Sequence, residues 1–392
     1  METVAFLVQR IGPYHHARLC AWAAARPGAV KVIEFRPADA VYVWTSVGEN
    51  GGYLRQQTHS REKLCRALDE LQPQAVVCVG YADPEINQAV AWALRRQVPL
   101  VTCSDSTYED EPRSWAKEAF KRRIVSAFDA ALVAGRRAHD YLEKLGLGRD
   151  RRFDPWDVVD NAYFERGADA IRRDEASARA KYKLPPRYFL CVTRFVSKKN
   201  LPRLIEAYAR YAAQAGHDAW SLVLAGAGPL EAELRASVAS ARLEAKVHIP
   251  GLVQYADLPA YYGLAGAFVL PSTSDQWGLV VNEAMAAGLP VLVSSPCGCA
   301  PDLVREGENG FTFDPENIEA LAERLKQVAG MDQARRAAMG QRSREIVAAF
   351  SPEAFATGLE AALACALARP RARKSWLTRL LVNLLARRSP PN

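Results

Sequence analysis

The sequence of 392 residues lacks two features that direct a chain into or across a membrane. None of its apolar runs approaches the roughly 18 residues that a membrane-spanning helix needs. The first apolar segment, residues 3–8, is short and continues directly into Gln9 and Arg10, so it does not resemble a signal peptide. We therefore expect a cytoplasmic protein.

Clustered metal ligands are scarce as well. The eight cysteines are scattered and lie mostly in apolar segments, which is typical of buried, reduced thiols. Cys297 and Cys299 form the only close pair, and one such pair is weak evidence for zinc. No Asp-x-Asp motif follows a predicted strand. Nothing in the sequence therefore requires a metal or another cofactor.

Charge is unevenly distributed along the chain. There are 51 basic and 44 acidic residues, which gives a net charge of +7. The last 24 residues contain no acid and carry the seven basic residues Arg369, Arg371, Arg373, Lys374, Arg379, Arg387 and Arg388. The remaining 44 basic residues balance the 44 acidic ones, so the folded core is not expected to bind nucleic acid.

Strands and helices alternate in both halves of the chain. Residues 3–11 predict a strand and residues 14–25 a helix, and the pattern restarts with a strand over residues 188–193 and a helix over 201–211. Such alternation predicts parallel sheets covered by helices on both faces. Residues 37–58 predict a loop. A change in composition followed by Pro185 and Pro186 indicates a domain boundary.

Residues 268–293 form the most strongly patterned stretch. A strand over residues 268–270 leads through a polar loop into a helix over residues 277–287, which Gly288 ends, and a second strand follows over 291–293. In such a unit the helix N-terminus lies at the carboxyl edge of a parallel sheet, where its free N–H groups can hold phosphate.

Two carboxylates bracket the start of this helix. Asp275 and Glu283 would lie roughly 12 Å apart if all the steps between them were helical, at about 1.5 Å per residue. That is too far for the carboxylate pair of a retaining hydrolase, at about 5–5.5 Å, and suits two acids that hold different hydroxyl groups of one ligand. Alternatively, Glu283 belongs to a solvated helix face and Asp275 caps the helix.

Arg194 and Lys199 follow the strand over residues 188–193 and are therefore expected at the same sheet edge. A guanidinium that can bind two oxygens and a mobile ammonium suit a diphosphate. The alternative is a surface loop that happens to carry two basic side chains.

Motifs in this half resemble those of the retaining nucleotide-sugar glycosyltransferases of family 4, which have the GT-B fold. The acidic-x7-Glu motif of that family is similar to DQWGLVVNE, and its Arg-x4-Lys pattern is similar to RFVSKKN. The similarity extends to NEAMAAGLPVLVS and ENGFTF. It covers the second half of the chain by motif and the first half by pattern only.

The resemblance implies roles for particular residues. Arg194, Lys199 and the amides at the helix start would stabilise the leaving diphosphate. Glu283 would bind the ribose, and Asp275 the transferred sugar. The implied catalytic and donor-binding residues are Arg194, Lys199, Asp275, Glu283, Gly12, Gly251, Leu252, Gly278, Leu279 and Val280. Those implied on the acceptor side are Tyr14, His15, His16, Ser104 and Asp105, although the two histidines could equally be helix-surface residues.

The sequence departs from the family at four positions. Asp275 is shorter than the usual Glu, and Ser104 replaces a His that touches the sugar. A loop that is usually Gly-Gly-rich retains only Gly12. Asn200 replaces a Gly, which is tolerable because Asn can adopt positive φ.

The implied fold class is α/β, with two Rossmann-like doubly wound domains that face each other across a cleft. The predicted domains are residues 1–165, on the acceptor side, and residues 185–350, which bind the nucleotide sugar. A final helix over residues 352–368 would cross back to the first domain. Residues 157–164 correspond to the strand and turn that close that domain in the family.

The implied function is retaining transfer of a sugar from a nucleotide diphosphate sugar to an acceptor hydroxyl. The expected acceptor is lipid-linked, a glycolipid or a growing polysaccharide. The donor is a substrate, and no cofactor or metal is implied. Two alternatives are a sugar-nucleotide epimerase of the same fold and a non-catalytic two-domain ligand-binding protein.

The tail, residues 369–392, contains an apolar stripe at helical spacing. Its members are Trp376, Leu377, Leu380, Leu381, Leu384 and Leu385. Tryptophan and leucines beside basic residues are typical of a helix that lies on a membrane surface. Since lipid-linked acceptors are common in the family, we expect peripheral binding to the inner face of a membrane. The alternative is a helix packed on the protein's own core or on a dimer partner.

Overall fold

The computed structural model describes residues 3–36, 51–58, 60–370 and 374–387. It divides the chain into two compact units. The first joins Met1–Val158 to Pro352–Asn392, and the second is Val159–Ser351. For comparison, the predicted domains are residues 1–165 and 185–350. Arg371, Arg373, Arg388 and the predicted loop over residues 37–50 lie outside the described residues.

In the described part of the first unit, seven parallel strands form one sheet in the order β3-β2-β1-β4-β5-β6-β7. The strands are β1 Val4–Val8, β2 Val30–Glu34, β3 Leu54–Gln57, β4 Ala75–Val79, β5 Leu100–Ser104, β6 Ala130–Val133 and β7 Arg152–Phe153. The helices between them are α1 Pro13–Ala25, α2 Arg61–Leu71, α3 Pro84–Arg96, α4 Trp115–Val125 and α5 Arg136–Lys144. The central strands are apolar and buried, as a parallel sheet requires.

Strand β3 contradicts the loop predicted over residues 37–58. Its four residues are exposed, so the apolar pattern that indicates a strand is missing. The strand is held at the sheet edge by its register against β2, in which Glu34 pairs with Gln57. Arg55 binds the buried carboxylate of Glu34 at 2.6 Å. Polar contacts rather than hydrophobic burial therefore fix this element.

The second unit contains a six-stranded parallel sheet in the order β10-β9-β8-β11-β12-β13, counted over its described residues. Its elements begin with α6 Asn161–Arg173, α7 Glu175–Tyr182, β8 Tyr188–Val192, α8 Leu201–Ala215, β9 Ser221–Ala225, α9 Glu231–Ser240 and β10 Val247–Gly251. They continue with α10 Leu258–Leu264, β11 Ala267–Leu270, α11 Leu279–Ala286, β12 Val291–Ser294, α12 Ala300–Leu303, β13 Gly310–Phe313, α13 Ile318–Ala329 and α14 Gln333–Val347. Two doubly wound α/β units were predicted, and the structure confirms both.

The expectation of a strand and a turn over residues 157–164 is wrong. The carboxylate of Asp160 accepts a hydrogen bond from the backbone N–H of Tyr163 at 2.9 Å and caps α6, which begins at Asn161. The apolar residues Val158 and Val159 are buried without joining a strand. An N-cap therefore overrides the strand pattern at this point.

Helix α15, Pro352–Ala368, returns to the first unit and packs on α1, β6 and β7. Glu360 anchors it by accepting a hydrogen bond from Trp22 at 2.6 Å and pairing with Arg26 at 3.0 Å. By length and composition alone, the helical stretch Gln333–Ala368 could cross a membrane. Its last part, α15, buries Phe355 and Leu359 in the first unit, which is the behaviour of a core helix.

Helix α16, Trp376–Ala386, packs on α3 and α4. The predicted apolar stripe divides between two environments. Leu385 is buried and Leu381 is partly buried against the core of the first unit, whereas Trp376, Leu380 and Leu384 are exposed. Packing on the protein's own core therefore accounts for only part of the stripe.

Gly358 provides a test of the close packing between α15 and the chain at Asp154. A Cβ at this position would overlap the carbonyl oxygen of Asp154. In an ordinary helix, replacing Gly by Ala stabilises by about 1 kcal/mol. Here we expect Gly358→Ala to lower the free energy of unfolding by about 1–3 kcal/mol, because the helix must move away from the chain beside it.

Urea unfolding monitored by circular dichroism measures this effect. Thr357→Ala, at an exposed position on the same helix, is the matched control and should change stability by less than about 0.5 kcal/mol. A Gly358→Ala variant as stable as the control would contradict the close packing of α15 against Asp154.

Candidate functional site

The second sheet changes direction between β8 and β11. From β8 the chain adds β9 and β10 on one side, and it then returns to add β11, β12 and β13 on the other. In doubly wound folds, ligands bind outside the carboxyl ends of the two strands at such a switch point. Arg194 and Lys199 lie in the segment after β8, and Asp275 lies in the loop after β11. The structure therefore places these three predicted residues at the same edge of the sheet, and it brings Lys199 and Asp275 into contact.

Backbone hydrogen bonds join the segment after β8 to the segment after β9. Phe195 is buried, its N–H donates to the carbonyl of Ala227 at 2.8 Å, and its own carbonyl accepts from Leu230 N–H at 3.1 Å. A Cβ on Gly226 would overlap the carbonyl oxygen of Thr193, so only glycine permits this approach. Arg194, next to the buried Phe195, is exposed on this fixed backbone.

Asn200 ties this segment to two other loops of the same edge. It adopts φ 56°, which confirms that Asn serves where the family has Gly. Its side-chain amide donates to the carbonyls of Pro271 at 3.1 Å and Pro315 at 2.8 Å. The Asn200 side chain therefore forms two hydrogen bonds that a glycine could not form.

Lys199 and Asp275 form an ion pair at the switch point. The Nζ of Lys199 donates to Oδ2 of Asp275, and the two side chains are 11% and 13% exposed. Ser272 Oγ lies 3.5 Å from the same carboxylate oxygen. Because the pair is largely withdrawn from water, its charges interact more strongly than those of a surface pair. A diphosphate that binds here must compete with Asp275 for the ammonium of Lys199.

The Cys-Gly-Cys stretch positions Asp275 through its backbone. Gly298 N–H donates to the carbonyl of Asp275 at 2.8 Å, and Cys299 N–H donates to that of Trp277 at 3.2 Å. A Cβ on Gly298 would overlap the carbonyl oxygen of Gln276. This stretch is thus explained by close backbone packing beside the candidate site.

Helix α11 begins at Leu279, two residues later than predicted, because Gly278 adopts φ 105° and is not helical. Among the described residues no side chain caps this N-terminus, and its first turn carries no acid. Gly278, Leu279 and Val280 are partly exposed. Their backbone N–H groups and the positive end of the helix dipole form an environment that favours an anion.

Glu283, predicted to bind ribose, lies within α11 and is fully buried. The hydroxyl of Tyr262 donates to its Oε2 at 2.6 Å. A buried carboxylate needs such a donor, and sequence motifs gave no signal for Tyr262 because it lies on a different helix, α10. The structure thus places Glu283 in the interior beneath the start of α11, and its ribose contact stays a prediction.

Gly251 and Leu252 lie at the end of β10, on the same edge of the sheet. Gly251 adopts φ 85°, and its carbonyl accepts from Gly226 N–H at 2.8 Å. Leu252 is 47% exposed, although it is a large apolar residue. An exposed apolar side chain beside the glycine segment is suitable for contact with the flat face of a base.

The first unit places its predicted residues after two strands. Gly12, Tyr14, His15 and His16 follow β1, and Ser104 ends β5. Gly12 has φ −99°, so its backbone does not require glycine. His16 Nδ1 lies 2.9 Å from the hydroxyl of Tyr53, and the buried Ser104 accepts a long hydrogen bond from the backbone of Ser106 at 3.4 Å.

A buried ion pair that the sequence did not reveal lies beside these residues. Arg18 binds Asp157 at 3.1 Å, and its guanidinium stacks 4.3 Å from the ring centre of Trp156. The imidazole of His15 also packs against Trp156, with ring centroids 5.6 Å apart. Residues so far apart in the sequence give no common pattern, so only the fold could bring them together.

Burial, with smaller contributions from this pair, shifts the pKa values of two neighbouring groups. Burial, with a further contribution from Arg18, lowers the pKa of His15 to about 3, so the imidazole is neutral near pH 7. Within the described residues its Nδ1 is buried without a hydrogen-bond partner. Burial, followed by the charge of Asp157, raises the pKa of Asp105 to about 7. Asp105 can therefore exist as a neutral acid or a carboxylate near neutral pH.

Asp105→Asn should change how stability depends on pH. Because the folded pKa of about 7 lies above the ordinary value of 3.8, the folded state binds more protons between these values, and the wild type loses stability as the pH rises. Asparagine does not titrate. As the pH is raised from about 5 to about 8, the free energy of unfolding of the variant should therefore rise by about 2–3 kcal/mol relative to that of wild type. Urea unfolding at both pH values measures this, and a difference independent of pH would contradict it.

Comparison with known proteins finds a family similarity within the second unit. Residues 173–346 match the family "Glycosyl transferases group 1". The GDP-mannose-dependent alpha-(1-6)-phosphatidylinositol monomannoside mannosyltransferase of Mycobacterium tuberculosis is 30% identical over 200 residues, which cover 48% of this chain and 51% of that protein. The putative colanic acid biosynthesis glycosyltransferase WcaL of Salmonella typhimurium is 32% identical over 188 residues, covering 46% and 45%. The chain thus spans about half the length of these curated relatives.

Solved structures resemble nearly the whole chain. Alr3699/HepE of Anabaena, in complex with UDP, has a TM-score of 0.73 at 17% identity and covers 92% of this chain and 99% of its own. A glycosyltransferase from Rickettsia africae has a TM-score of 0.72 at 15% identity, with coverage of 93% and 98%. At such identities the likeness shows the fold, which is the GT-B class that the motifs predicted. Residues 173–346 are therefore similar to the group 1 glycosyltransferases.

Proposed function

We propose that the protein transfers a sugar from a nucleotide diphosphate sugar to an acceptor hydroxyl, with retention at the anomeric carbon. The observation that carries this proposal is the convergence of Arg194, Lys199, Asp275 and the open start of α11 at the switch point of the second sheet. The group concentrates positive charge and N–H donors where a diphosphate would lie, with a carboxylate within reach of sugar hydroxyls.

The ion pair supports a simple exchange of partners. When the donor binds, Lys199 leaves Asp275 for the diphosphate, and Asp275 becomes able to accept hydrogen bonds from the sugar. As the bond from the anomeric carbon to the diphosphate breaks, negative charge grows on the phosphate oxygens, and Arg194, Lys199 and the N–H groups of α11 stabilise it. The acceptor oxygen bonds to the same face of the sugar, and its proton passes to the departing phosphate.

Relatives support the class of acceptor. By their names, one acts on a phosphatidylinositol monomannoside and another belongs to colanic acid biosynthesis. We accordingly propose a glycolipid or a growing polysaccharide as the acceptor. The acceptor-side residues of this proposal are Tyr14, His15, His16, Ser104 and Asp105, which the first unit presents at the carboxyl ends of β1 and β5.

Product analysis tests the proposal. A thermal-shift panel of UDP-, GDP- and ADP-sugars first selects the donor, because a ligand that binds the native state raises the melting temperature. The selected donor is then incubated with and without glycolipid and oligosaccharide acceptors. Transfer predicts free nucleoside diphosphate together with a glycosylated acceptor. An altered sugar on an intact nucleotide would indicate an epimerase, and binding without any turnover would indicate a ligand-binding protein.

Arg194→Ala should lower the turnover number by about 10²–10³, as expected when a donor to developing charge is removed. Because Arg194 is exposed, the free energy of unfolding should change by less than about 0.5 kcal/mol. Lys198→Ala, at an exposed position in the same segment, is the matched control and should retain activity. Equal losses of activity and stability in Arg194→Ala would show a structural residue instead.

A further inference from the structure

Helix α16 has two apolar faces on opposite sides. At about 100° per residue, Trp376, Leu380 and Leu384 form one row along the helix, which we name the outer row. Thr378, Val382, Leu385 and Ala386 lie on the opposite side and are buried. The outer row is 75%, 46% and 51% exposed, respectively.

The exposure of the outer row does not result from a detached helix. Near the start of α16, Thr378 Oγ1 lies 3.0 Å from Ser126 Oγ at the end of α4. At the other end, Arg61 donates to the carbonyl of Ala386 at 2.7 Å. Val382 and Leu385 join the core of the first unit. The inner face alone therefore docks the helix, and folding does not require the apolar outer row.

Charge distinguishes among possible occupants of this face. All seven basic residues responsible for the net charge of +7 lie in the last 24 residues, without an acid. Arg387 is exposed and continues the line of the outer row beyond Leu384, and Arg379 lies at its border. Lys374 is bound to Asp129 at 2.7 Å and is held against the protein. An apolar row with tryptophan at one end and Arg387 and Arg379 beside it matches an anionic lipid surface.

We propose that the outer row of α16 inserts into the interfacial region of an anionic bilayer while the inner face holds the first unit to it. In an ordinary interfacial helix the face opposite the lipid is in water. In α16 that inner face packs against the first unit. Arg387 and Arg379 contact lipid phosphates. This binding is independent of the sugar-transfer reaction, so it can be tested without an active enzyme.

Vesicle sedimentation with the full chain tests the proposal. Wild type should sediment with phosphatidylcholine vesicles that contain about 30% phosphatidylglycerol, and less with phosphatidylcholine alone. Raising the salt to about 0.5 M should weaken binding, because it screens the basic residues. The triple variant Trp376→Gln/Leu380→Gln/Leu384→Gln should lower the partition constant at least about tenfold.

Leu54→Gln is the matched control, because it removes an apolar side chain that is 61% exposed on β3 of the same unit, and it should bind like wild type. Urea unfolding should show that the triple variant is as stable as wild type, since its substituted side chains are exposed. Equal sedimentation of wild type and the triple variant would overturn the proposal. Wild type that does not sediment with anionic vesicles would overturn it as well. A lipid-free dimer that the triple variant dissociates would also overturn it, by showing that the outer row binds a second copy.

Discussion

The ion pair between Lys199 and Asp275 is the interaction on which the candidate site depends. It joins the segment after β8 to the loop after β11 at the point where the second sheet reverses direction. Neither charge is well solvated, so each is stabilised chiefly by the other. Each charge therefore has a partner at the sheet edge where we propose that the diphosphate binds.

Close backbone packing surrounds both segments that carry the ion pair. Gly226 and Gly298 allow backbone segments to approach more closely than any side chain would permit, and each approach fixes one of the two segments that carry the ion pair. Asn200 adds hydrogen bonds to two further loops of the same edge. The backbone around the pair is therefore held by packing and hydrogen bonds within the protein itself.

The sequence predicted the fold, and it predicted a common sheet edge for Arg194, Lys199 and Asp275, because local patterns indicate both. Alternating strands and helices indicated two parallel α/β units, and the predicted strands put Arg194 and Asp275 at one edge of the second sheet, where the structure has them. Strand β3 was missed because polar contacts, such as that of Arg55 with Glu34, replace the apolar pattern. The strand expected over residues 157–164 was wrong because the cap formed by Asp160 starts a helix there. Arg18 and Asp157 are 139 positions apart, and Tyr262 and Glu283 lie on different helices, so no short motif could link them.

The most direct test of this account is the dissociation constant of the nucleoside diphosphate, measured by calorimetry for wild type, Lys199→Met and Asp275→Asn. Loss of a hydrogen bond to a charged group costs about 1.5–3 kcal/mol, so Lys199→Met should bind at least about tenfold more weakly. Asp275→Asn should bind as tightly as wild type or more tightly, because the competitor for the ammonium has been removed. Unchanged affinity in Lys199→Met, or equal weakening in both folded variants, would contradict the exchange of partners.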